Sequence, residues 1–183
     1  PMKKGDTLTV RFSEMLLSDG TFYTKNYRSA KSTDYYIAAE DGVIEYTPKF
    51  TFHGFQYIEL SGYDSSAEPN STWVRGLVQH SNFQKNGTFT SSHKKLNQLQ
   101  SNITWGLRVN LLDIPTDCPQ RDERLGWTGD AQVISPTALF NFDTHAFWTA
   151  WLQSMRERQS EHDNGLVPFI IPDVLQNNRA SSG

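Results

Sequence analysis

Residues Thr116 to Gln132 read TDCPQRDERLGWTGDAQ. The large apolar residues in this run are Leu125 and Trp127, separated by Gly126. Neither the 3.6-residue period of a packed helix nor the two-residue period of a half-buried strand passes through it. Four carboxylates (Asp117, Asp122, Glu123, Asp130) and two arginines (Arg121, Arg124) crowd the same run. A core does not need that mixture, so the stretch reads as a site carried on a loop.

Carboxylates that converge repel one another, which would raise the pKa of at least one of them and leave it able to give up a proton. Glycoside hydrolysis uses such a pair, one protonated carboxyl for the leaving oxygen and one carboxylate as base or nucleophile. The arginines act in the opposite sense on a carboxyl pKa and offer forked donors to hydroxyl groups. Trp127, between Gly126 and Gly129, suits a ring laid on a sugar face where glycines let backbone come close. Spacing alone leaves a second reading open, a solvated charged loop anchored by one tryptophan.

On either side of this loop the hydrophobic period is helical. Leu96, Leu99, Ile103 and Leu107 recur every three or four residues, which predicts an amphipathic helix capped by Ser91 or Ser92 and ending near Asn110. Pro115 then sets an extended entry into the loop. A weaker helix is expected over residues 131–142, bent or interrupted by Pro136. A third, capped by Asp143, carries Phe147, Trp148, Trp151, Leu152 and Met155 as one apolar stripe. Its charged end, Arg156 to Asp163, reads as a solvated terminus closed by Asn164 and Gly165. No helix is expected after Leu175.

Upstream the period is two. Leu8, Val10 and Phe12 alternate with Thr9 and Arg11 over residues 7–15, and Ser18, Asp19 and Gly20 turn the chain. Residues 35–38 and 50–60 read as further strands, so an antiparallel sandwich of jelly-roll or lectin type is expected. Tyr23, Tyr27, Tyr35, Tyr36 and Trp73 are read as core, and His53 and His80 as structural because neither lies at ligand spacing from another His or Cys. The change of period places a domain boundary at 88/89, with a β-sandwich over 1–88 and helices over 89–183.

Composition narrows the function. With 183 residues, 37% hydrophobic and 13% aromatic, the chain has material for a sizeable core, and a formal charge of −3 gives no general attraction for nucleic acid or an anionic membrane. No apolar run is long enough to span a bilayer, and PMKKGDTLTV lacks the apolar centre of a signal peptide. The chain therefore reads as soluble, with its compartment open. The single cysteine, Cys118, excludes an internal disulfide and reads as packed.

The run TDCPQRDERLGWTGDAQ resembles the signature of the bacterial α-L-rhamnosidases, glycoside hydrolase family 78, and the likeness extends to Phe52–Phe55, Tyr57, Gly87, Phe89, Ser91, Asn97 and Asn141–Asp143. The resemblance implies a β-sandwich leading into an (α/α)₆ barrel, of which this chain would hold the end of the sandwich and the first barrel helices. It implies Glu123 as general acid and Asp117, Arg121, Trp127 and Asp130 as the lining of a rhamnose subsite, with no metal and no cofactor. The partner it implies is a rhamnose-containing glycoside or polysaccharide. The family inverts, and its base is a glutamate much later in the barrel, with no counterpart here. Two further readings stand beside a partial inverting rhamnosidase: a noncatalytic carbohydrate-binding or remnant chain, and another six-hairpin glycosidase.

Overall fold

A computed structural model describes residues 1–161 and 165–175. Of the expected closure of the third helix by Asn164 and Gly165, Asn164 lies outside those residues, as does the chain after Leu175, where no helix is expected. The chain divides into two compact units. The first is Pro1–Val78 together with Pro119–Asp122; the second is Gln79–Cys118 with the described residues from Glu123 onward.

The first unit is built on β1 (Thr7–Ser13). With β2 (Met15–Leu16), β3 (Phe22–Tyr23), β4 (Thr33–Ile37) and β5 (Tyr57–Ser61), it gives a three-stranded antiparallel sheet ordered β4-β1-β5 and a small β2–β3 hairpin. Val10 faces Asp34 on one side and Leu60 on the other. The register puts Leu8, Val10 and Phe12 on one face with Tyr36, Ile58 and Leu60, as the alternation predicts. The hairpin turns at the expected residues. Gly20 adopts φ 84°, and the Asp19 carboxylate accepts from the Thr21 N–H at 2.9 Å and its hydroxyl at 2.6 Å. Gly62, at φ 85°, closes the sheet edge where a Cβ would lie 2.0 Å from the Thr7 carbonyl oxygen.

Two expectations for this unit need correction. Only Tyr57–Ser61 of the run 50–60 pairs as a strand. Phe50 has φ 60°, outside the extended region, and the chain after it brings His53 onto Phe12 at 4.1 Å between ring centroids and onto the Asp34 carboxylate at 3.0 Å. That contact bears out the structural reading of His53. Among the aromatics, Tyr27 is fully buried, its hydroxyl accepting from the Glu14 N–H at 2.6 Å. Tyr35, by contrast, is 62% exposed, because it lies on the opposite face of β4 from Tyr36.

The second unit holds α1 (Lys94–Asn110), the short strands β6 (Leu111–Leu112) and β7 (Ile114–Pro115), α2 (Thr128–Asn141) and α3 (His145–Ser160). Leu107, Leu111, Ala131, Ala138, Phe142, Trp148, Trp151 and Ile171 form its core, with Phe83, Ile103, Phe147 and Met155 against it. Trp148 and Trp151 of α3 are core, as their spacing predicts. Leu152 is not, being 52% exposed at the edge of an apolar stripe wider than the buried face.

The helix ends differ from the capping residues expected. α1 starts after His93, and Ser91 instead exchanges hydrogen bonds with the Asn97 side chain at 2.8 Å each. α3 starts after Thr144, with the Asp143 carboxylate 3.5 Å from the His145 N–H, the outer limit of a cap. Pro136 does not interrupt α2. Proline at that position leaves the Gln132 carbonyl without its helical donor, and the Ser135 hydroxyl donates to that oxygen at 3.2 Å. Nor is the end of α3 merely solvated. Arg158 pairs with Glu161 and reaches Asp173 at 3.4 Å, a carboxylate whose side chain is 2% exposed.

Candidate active site

The loop from Thr116 to Trp127 is entered through a tight hairpin. Asp113 at φ 67° reverses the chain between β6 and β7, and the Thr116 N–H donates to Asn110 at 2.7 Å. Asp117 then closes the loop on itself. Its Oδ1 accepts from the Leu125 N–H at 2.8 Å, and its own N–H donates to the Leu125 carbonyl at 3.2 Å. Between these residues the backbone takes conformations that L side chains rarely adopt, with φ 111° at Glu123 and 52° at Arg124. Strain of that kind persists where surrounding contacts impose it and gathers at functional sites.

The exit is pinned by the chain around residue 170. The Ile171 N–H donates to Gly126 at 2.8 Å and the Thr128 N–H to Phe169 at 2.8 Å. The Trp151 indole donates to the Ile171 carbonyl at 3.1 Å. A Cβ at Gly126 would lie 2.2 Å from that carbonyl oxygen. The sequence reading gave Gly126 and Gly129 one role, close approach to a sugar. Gly126 instead admits the backbone of Ile171, while Gly129 faces open space.

Within the second unit, Glu123, Asp117 and Trp127 come together. The Trp127 indole N–H donates to Glu123 Oε1 at 3.2 Å. Ligand-type atoms of Asp117, Cys118 and Glu123 lie within 4.8 Å of one another. Cys118 is buried, as expected. Three such groups are a donor set that a divalent cation could use. Against that, burial pushes the Arg124 guanidinium down and its proximity to the Cys118 sulfur holds it up, so a fixed positive charge already stands beside the cluster.

The separation of Asp117 from Glu123 also bears on mechanism. An inverting pair needs about 6.5–9.5 Å between its carboxyl groups to admit water, and 4.8 Å is too short. The two carboxyl groups therefore lack the spacing of an inverting pair.

Asp130 stands in the first turn of α2, exposed, where the helix dipole favours a negative charge. It and Asp117 line a groove of about 770 Å³ whose apolar wall includes Ile103, Leu107, Val133 and Ile134. That volume suits a small ligand.

Arg121 and Asp122 fall in the piece of the loop that belongs to the first unit. There Asp122 Oδ2 accepts from the Ser29 hydroxyl at 2.5 Å and the Ser29 N–H at 3.1 Å. Those bonds, with Arg28 and Arg121 nearby, hold its carboxyl below the usual range. Of the two opposing effects that the sequence left open, the lowering one acts at Asp122, which makes it a poor proton donor. Ser29 and Arg28 carry no signal in the sequence, since Ser29 stands 93 residues from its partner.

Comparison with known proteins accounts for both units. Residues 1–80 match the bacterial α-L-rhamnosidase concanavalin-like domain, and residues 84–183 the bacterial α-L-rhamnosidase six-hairpin glycosidase domain. The chain belongs to the bacterial α-L-rhamnosidase family. An α-L-rhamnosidase of Formosa agariphila is 68% identical over all of this chain, and one of an Alteromonas species is 51% identical. The chain spans about 20% of the length of each.

Two solved rhamnosidases superpose well. That of Dictyoglumus thermophilum is 41% identical, with a TM-score of 0.88 over 93% of this chain and 19% of its own. That of Streptomyces avermitilis, complexed with L-rhamnose, is 44% identical, with a TM-score of 0.88 over 94% of this chain and 16% of its own. The fold class is therefore the one expected, a β-sandwich domain followed by the first helices of a six-hairpin barrel.

Proposed function

We propose that this chain carries the general acid and part of the sugar subsite of an inverting α-L-rhamnosidase, with Glu123 protonating the glycosidic oxygen of a terminal α-L-rhamnose. The observation that carries this reading is the setting of Glu123. Its carboxyl is held by an indole N–H at 3.2 Å, on backbone at φ 111°, inside a loop that Asp117 clasps shut. Asp122, the neighbouring carboxylate, is held ionised by Ser29.

Asp117 and Asp130 would orient ring hydroxyls, and the face of Trp127 would lie against the sugar. Rhamnose as that sugar is supported by the Streptomyces avermitilis relative, which binds it. The base is a carboxylate that this reading puts outside the motif. The test is Glu123→Gln in the full-length protein that carries this segment. Turnover of alkyl rhamnosides should fall by about 10²–10⁴-fold with rhamnose affinity retained. Turnover within a few-fold of the parent would overturn the assignment.

A further inference from the structure

The resemblance assigns Trp127 a ring face for the sugar, but in the structure its ring edge is also engaged. We propose, resting on the reading of Glu123 as general acid, that Trp127 is a positioning residue that fixes which oxygen of Glu123 delivers the proton. Indole Nε1–H is a donor only, so the oxygen it meets at 3.2 Å, Oε1, must present a lone pair. A neutral carboxyl accepts best at its carbonyl oxygen, so this contact favours the proton on Oε2.

In the reaction the Oε2–H bond breaks and the proton goes to the glycosidic oxygen, while the electron pair of the C1–O bond leaves with that oxygen. Water adds to C1 and gives its proton to the base. Glu123 is left as a carboxylate, and the same N–H then faces a full negative charge, so the contact strengthens as proton transfer proceeds.

The donor is rigidly mounted. Trp127 bridges Ile170, and its carbonyl accepts from the Ala131 N–H at 3.0 Å in the first turn of α2. The acid is mounted as firmly, on a loop closed by the paired Asp117–Leu125 bonds with φ 111° at Glu123 itself. A side chain on a strained, closed loop four residues from its donor has few ways to present the wrong oxygen.

Trp127→Phe in the full-length enzyme keeps a ring and removes the N–H. β-(3-Benzothienyl)alanine at 127, isosteric with tryptophan and lacking the donor, repeats the test without underpacking. Methyl α-L-rhamnoside needs its leaving group protonated; the 2,4-dinitrophenyl glycoside hardly does. Both variants should widen the ratio of kcat/KM for the dinitrophenyl over the methyl glycoside by about 10-fold or more, with the methyl loss mainly in kcat. An equal loss on both substrates, or a change confined to KM, would make Trp127 a sugar platform alone and overturn the inference. Glu123→Gln is run in parallel. If it retains methyl rhamnoside turnover, the acid assignment itself has failed and this inference with it. If it is inactive there while the Trp127 variants lose equally on both, only the inference has failed.

Discussion

Asp122 and Glu123 are consecutive carboxylates held by different partners. Two donors from Ser29 favour the charged form of Asp122, whereas Glu123 accepts from the Trp127 indole and lies within 4.8 Å of Asp117 and Cys118. Because the folded pKa of Asp122 lies below its unfolded value, the stabilisation it contributes is present above the ordinary carboxylate range and is lost as pH falls through the lowered value. Ser29→Ala should therefore move the Asp122 carboxyl upward toward its usual range, observed as a shifted midpoint of its side-chain carbon resonance in an NMR titration. An unchanged midpoint would leave the arginines as the cause. Gly126 is the other residue whose identity is dictated by a contact. Gly126→Ala puts a methyl 2.2 Å from the Ile171 carbonyl, and the forced backbone shift should cost roughly 1–3 kcal/mol, read as a lower urea midpoint, while displacing Trp127 next to it. Wild-type stability and activity in that variant would mean the loop relaxes freely.

Elements were legible in the sequence where a single period runs unbroken and illegible where distant backbone decides. β1 and α1 follow from the alternation of Leu8, Val10 and Phe12 and the spacing of Leu96 to Leu107, because each needs only its own residues to define a buried face. α2 reads weakly, since Pro136 counts against it until the Ser135 hydroxyl is seen to satisfy the Gln132 carbonyl. The motif announces a site through its composition, yet its shape comes from Ile171, Trp151 and Ser29, none of which a local window contains. The end of α3 shows the same limit. Its charges look solvated until Asp173 is found buried beneath Arg158. Removing one partner of such a pair leaves an uncompensated buried charge, so Arg158→Ala should lower stability by about 3 kcal/mol. Chemical denaturation of the full-length variant checks this, and a change under about 0.5 kcal/mol, as for an exposed pair, would show that Asp173 finds another partner.

At the scale of the whole chain, the second unit buries one side of its helices and leaves the other uncovered. Val133 and Phe140 on α2 are 79% and 76% exposed, and Leu99 and Trp105 on α1 are 53% and 46% exposed. In the isolated 183-residue chain this apolar surface has water as its neighbour, and burying it at about 25 cal/mol per Å² favours association over a solvated monomer. The chain produced alone should therefore bind a hydrophobic dye such as ANS and elute from size exclusion as concentration-dependent oligomers. Val133→Lys together with Phe140→Lys should shift it toward monomer with no loss of helical circular dichroism, since neither side chain belongs to the buried core. A wild-type chain that stays monomeric and dye-silent at high concentration would mean that α1 and α2 rearrange to cover these residues themselves. The groove lined by Asp117 and Asp130 would then close as well, because Val133 and Ile134 form part of its wall.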